Sequence, residues 1–108
     1  MTVREIIARL REIEAEESAI VGEACALQSW LRARNPEGTS THASLLLTSL
    51  VPTVNSERAR LRTLIRKLEE KGEGAVGDET LAGLITPAAE RLLGYRASLR
   101  HAKQNKNG

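Results

Sequence analysis

The sequence predicts an all-α protein: an antiparallel, up-down-up three-helix bundle with heptad, coiled-coil-like packing. Three observations predict it. Apolar residues recur at alternating spacings of three and four along three long stretches. Chain-breaking residues punctuate those stretches twice, at Asn35-Pro36-Glu37-Gly38 and at Gly72, Gly74 and Gly77. Aromatic residues are 2% of the chain and Phe is absent, so the core must be aliphatic, as suits helices packed through Leu, Ile and Ala.

The first helix is expected over about 2–34, with Thr2 as cap and Glu5 as its capping-box partner. Its seam reads Val3, Ile6, Leu10, Ile13, Glu17, Ile20, Ala24, Leu27 and Leu31. At 1.5 Å per residue it would be roughly 50 Å long, a slender rod. The second helix is expected over 41–71, capped by Ser40 or Thr41, with the seam Leu47, Leu50, Val54, Glu57, Leu61, Leu64 and Leu68. Pro52 lacks an N–H and crowds the carbonyl of Thr48, which predicts a kink. The rhythm runs through it, so the segment is read as one helix. The third, over 79–103, starts at Asp78 or Thr80 and carries Leu81, Ile85, Ala88, Leu92, Tyr95, Leu99 and Ala102. Pro87 could begin a separate helix at its first turn, but here too the rhythm continues. Ile7, Val21, Val51 and Ile65 widen the stripes, as a helix touching two neighbours requires. Residues 1–103 thus form one domain, and 104–108 are expected to be a disordered tail.

A chain of 108 residues is one domain by length. A single cysteine, Cys25, excludes an internal disulfide framework and suits a reducing compartment. Residues 1–20 are charged throughout, and no stretch approaches the ~20 apolar residues of a membrane span, so a cytoplasmic chain without a membrane partner is expected. The net charge of +2 does not by itself imply a polyanion partner. No catalytic or cofactor motif is present, so the expectation is a non-enzyme without cofactor.

Both seams miss one beat, at Glu17 and at Glu57. In a hairpin folded about the 35–38 turn, the numbers of facing residues add to about 74, as those of Glu17 and Glu57 do. The two breaks are therefore one polar layer halfway along the rod. Glu14 lies beside Glu17, Arg58 beside Glu57, and the third helix brings Leu92, Leu93, Gly94 and Tyr95 to this level. The candidate layer is Glu14, Glu17, Glu57, Arg58 and Tyr95. Two facing carboxylates without a partner are costly, so Arg58 or Arg62 must pair with them or one must hold a proton. Such a layer serves chiefly to specify one register. The same reflection sets Glu12, Glu14, Glu16 and Glu17 against Arg58, Arg60 and Arg62. A di-metal carboxylate site would need Glu-x-x-His companions, and His42 and His101 lie far from the layer. Glu14-x-x-Glu17 resembles half the carboxylate set of all-α nucleotide pyrophosphohydrolases, but the Glu-x-x-Asp of a later helix is absent.

Charge is unevenly spread along the rod. One end collects Arg32, Arg34, Arg96, Arg100, His101, Lys103 and Lys106, together with Trp30 and the start of the second helix. Cations at helix C-termini complement the helix dipole. An aromatic, arginines and a hydroxyl-rich helix start also suit a phosphate-bearing ligand, with Trp30, Arg32, Arg34, Thr41, His42, Arg100 and Lys103 as candidates. Leu45, Leu46, Val51, Ile65 and Leu93 cannot all face inward on one rod, and spare apolar flank usually meets a partner helix or a second copy. The leading expectation is a self-associating protein-interaction module, an adaptor, regulatory subunit or inhibitor. A binder of nucleotide or nucleic acid through the basic end is the alternative.

Overall fold

Each apolar stripe can leave water only by facing another, and the helices assemble accordingly. The computed structural model describes residues 2–35, 41–72 and 78–105, excepting the side chains of 78–82. Three helices fill these segments: α1 (Val3–Arg34), α2 (His42–Lys71) and α3 (Asp78–Gln104). There is no strand among the described residues. The molecule measures 57 × 20 × 15 Å. The Ser40 alternative for a cap, the side chain of Leu81 in the seam of α3, and residues 106–108 of the expected tail lie outside what is described.

The helix ends follow from their sequence. The Thr2 hydroxyl accepts from the Glu5 backbone N–H at 3.1 Å and donates to the Glu5 carboxylate at 3.3 Å. At α2, Thr41 and Ser44 cap reciprocally: each hydroxyl accepts from the other's backbone N–H, at 3.1 and 2.9 Å. Gly72 closes α2 with φ +69° and ψ −169°, a region that only glycine enters without strain, and its N–H reaches the Leu68 carbonyl. Helix α2 runs unbroken through Pro52, and α3 through Pro87. One turn around Pro52, the Thr53 hydroxyl donates to the Ser49 carbonyl at 2.9 Å. Helix α3 continues through Gln104, one residue past its expected end, so Gln104 does not belong to a disordered tail. Asn105 follows as a turn, with its side-chain amide donating to the His101 carbonyl.

The seams form the core. Ile6, Leu10, Ile13, Ala24, Leu47, Val54, Ala88 and Ala102 are fully enclosed. Ile65, expected to widen the stripe, is buried, while Leu64 of the expected seam is only half-buried. Polar contacts give the pairing sense. From α1 to α2, Arg11 meets Glu69, Glu14 meets Arg58, and Gln28 meets Thr48, so numbers rise on one helix as they fall on the other. From α1 to α3, Glu16 meets Arg96 and Glu23 meets Lys103, and numbers rise together.

Candidate functional site

The polar layer forms where the two seams miss their beats. Glu17 on α1 is completely buried and Glu57 on α2 is 4% exposed. The cation serving Glu57 comes from α3: the Arg91 guanidinium donates to its carboxylate at 2.7 Å. Arg60, one turn along α2, approaches the other carboxylate oxygen at 3.5 Å. Arg58 and Arg62, expected to neutralise the layer unless one carboxyl held a proton, instead meet Glu14, at 3.0 and 3.5 Å. That correction has a simple cause. Glu14 and Arg58 sit on the flanks of their helices, half-buried, so the long arginine reaches its carboxylate without entering the core.

Neither carboxylate oxygen of Glu17 has a hydrogen-bond partner among the described residues, and neither does Nε of Arg91. Burial raises the Glu17 carboxyl from 4.5 to about 7; the Glu57 charge adds to the rise, and Arg91 offsets part of it. Tyr95, half-buried on α3, is raised by burial and then by the charges of Glu57 and Glu17. Glu17, Glu57 and Tyr95 therefore share one electrostatic environment, and Glu14 and Arg58 pair at its rim, where their opposite charges also act on Glu17.

Arg91 is the member of the layer that the sequence reading missed. The reflection that pairs Glu17 with Glu57 finds it when centred on sequence positions 72–77, which sets residues 91 and 92 against Glu57. The expected acidic-to-basic match between 12–17 and 58–62 holds only for Glu14. Glu12 pairs with Arg9 within α1, Glu16 turns to Arg96 of α3 at 2.6 Å, and Arg60 stays with Glu57.

At the basic end, the Arg34 guanidinium lies 4.2 Å from the centroid of half-buried Trp30, a cation–π contact. His42, the first residue of α2, meets His101 in the last turn of α3; the rings are edge to face at 88°, with centroids 5.4 Å apart. The Thr41 hydroxyl is already engaged by the Ser44 N–H. Lys103 is held by Glu23 at 3.1 Å, tying α3 to α1. Arg32 and Arg100 are exposed. The seven candidates thus divide into a Trp30–Arg34 stack, a His42–His101 pair, the Thr41 cap, the Lys103 bridge and two exposed arginines.

No group of three or more His, Cys, Asp or Glu side chains among the described residues is placed to hold a metal ion. No described helix is long and apolar enough to cross a membrane. Cys25 is exposed. No protein-family model, curated protein or solved structure matches the chain.

Proposed function

We propose that this chain is a non-enzymatic helical protein-interaction module, an antiparallel up-down-up bundle with heptad packing that associates with itself through its outer helix faces. The observation that carries the reading is the exposure of two large apolar side chains, Leu45 at 58% and Leu93 at 61%. Of the five flank residues that could not all face inward, Ile65 is buried and Leu46 and Val51 pack partly against the core, which leaves these two. Leu93 stands one turn from exposed Ala97 and from Ala89, which packs partly against the core, so apolar surface extends about one turn either side of it on α3. The alternating contacts along α1, α2 and α3 support the bundle arrangement, and the buried Glu17–Glu57 layer suits a device that fixes one register.

Sedimentation velocity over a hundredfold range of concentration tests the proposal. The expected result is a concentration-dependent oligomer that Leu45→Glu or Leu93→Glu returns to monomer with its helical circular dichroism intact. A chain that sediments as a monomer throughout would refute self-association.

A second reading, a binder of phosphate-bearing ligands such as nucleotides or nucleic acid, is favoured by the His42–His101 contact, which draws the basic end of α3 to the start of α2. Trp30 fluorescence reports on it. A saturable change on adding single-stranded oligonucleotide, weakened by salt and by Arg32→Ala or Arg100→Ala, supports it. A flat titration at low salt removes it.

A further inference from the structure

We propose that His42 and His101 form a two-histidine site for a divalent transition-metal ion of the zinc or nickel class, linking the start of α2 to the end of α3. Their Nε2 atoms are 3.4 Å apart. Two imidazole nitrogens bound to one tetrahedral zinc at ~2.0–2.1 Å are about 3.4 Å from each other, so the pair already stands at the separation a shared ion requires. Imidazole is a preferred ligand for this class of metal. The N–H to N hydrogen bond that the rings could share stands at the long limit of such contacts, so little hydrogen bonding is given up when an ion replaces it.

The backbones that carry these rings are fixed. Ala43 and Ala102, the residues next in sequence, are both completely buried, and the Thr41–Ser44 cap holds the first turn of α2. Both histidines are exposed, so an ion enters from solvent and water completes its coordination. The Asn105 amide nitrogen stays on the His101 carbonyl at 2.8 Å and stands 3.3 Å from Nδ1 and 3.5 Å from Nε2 of His101, bracing the end of α3 beside the ring. Among the described residues no third His, Cys, Asp or Glu joins the pair, and Arg100 and Lys103 lie close in sequence on α3, so the site is open and exchangeable. Its effect is to tie α2 to α3 at one end of the rod.

The test is isothermal titration of the full chain with zinc and with nickel, in a Cys25→Ser background that removes the exposed thiol as a competing ligand. Expected is saturable uptake that raises the melting temperature. Loss of an outer-shell partner alone commonly costs ~10–100-fold in affinity, so His42→Ala and His101→Ala should each weaken uptake by at least about tenfold and abolish the thermal shift. Circular dichroism establishes that both variants remain folded, as expected for exposed side chains. Uptake unchanged in either single variant, or no uptake at millimolar metal, overturns the proposal.

Discussion

Replacing Glu17 by glutamine should stabilise the protein at pH 8 and leave it unchanged at pH 4. The side chain is completely buried and without a hydrogen-bond partner among the described residues, and its carboxyl is raised from 4.5 to about 7. The folded state thus binds this proton more tightly than the unfolded chain does. The resulting stabilisation is fully present below about pH 4.5, shrinks as pH rises toward 7, and is gone above it. At about 1.4 kcal/mol for each tenfold change in proton affinity, the ionised side chain costs the fold about 3 kcal/mol. A glutamine side chain resembles the protonated acid in size and charge and cannot ionise. The Glu17→Gln variant should therefore be about 3 kcal/mol more stable than the parent at pH 8, with the difference closing at pH 4. Urea unfolding followed by circular dichroism, at fixed protein concentration and several pH values, measures this difference. Ionisable groups remote from Glu17 are common to both proteins and cancel in the difference. A Glu17→Gln variant that is less stable at pH 8, or a difference independent of pH, would show that the ionised carboxylate has found a cation, and the reasoning would fail.

Arg91→Leu should destabilise the bundle at neutral pH by about 2 kcal/mol, below the cost of breaking a fully buried pair because the arginine is itself 37% exposed. The double variant with Glu57→Leu should recover that loss in a thermodynamic cycle, since it also removes the stranded carboxylate. Thr41→Ala should cost about 1 kcal/mol in chemical denaturation, because it removes the acceptor for the Ser44 N–H at the start of α2.

The 3-4 spacing made the three helices legible, because each enclosed position has an apolar neighbour three or four residues away on its own chain. It fixed helix rotation less tightly: Leu64 and Ile65 are both apolar and adjacent, and the choice of Ile65 as the buried one depends on where α3 lies. Reflection about the 35–38 turn located Glu17 and Glu57, since both lie on one hairpin. Arg91 and the Glu16–Arg96 pair were harder to read. They join α3 to helices on either side of it, so their partners emerge only when both turns are folded at once. The basic end was legible as composition, but not as the separate stack, pair and bridge that the side chains form.

A polar layer that places two carboxylates together looks self-defeating until the alternatives are compared. Under heptad packing, sliding α2 by one heptad along α1 would set Glu17 against Leu50 or Leu64, and Glu57 against Leu10 or Ala24. The apolar seams alone barely discriminate among these registers, because a slip by one heptad still sets aliphatic side chains against aliphatic ones at the remaining levels. The slipped forms bury two isolated carboxylates at separate levels, where one arginine cannot serve both. In the observed register Arg91 bonds Glu57 and its charge also favours ionised Glu17. The proton that Glu17 takes up near neutrality removes the remaining repulsion. If the layer sets the register, juxtaposing the acids confines the desolvation penalty to one level, and the energy gap between registers would come from that confinement and not from any gain in absolute stability. On this argument Glu17→Leu should stabilise the helices while letting α2 slip, a loss of uniqueness visible as doubled resonances in an amide correlation spectrum; a single set of sharp peaks from Glu17→Leu would place register control elsewhere.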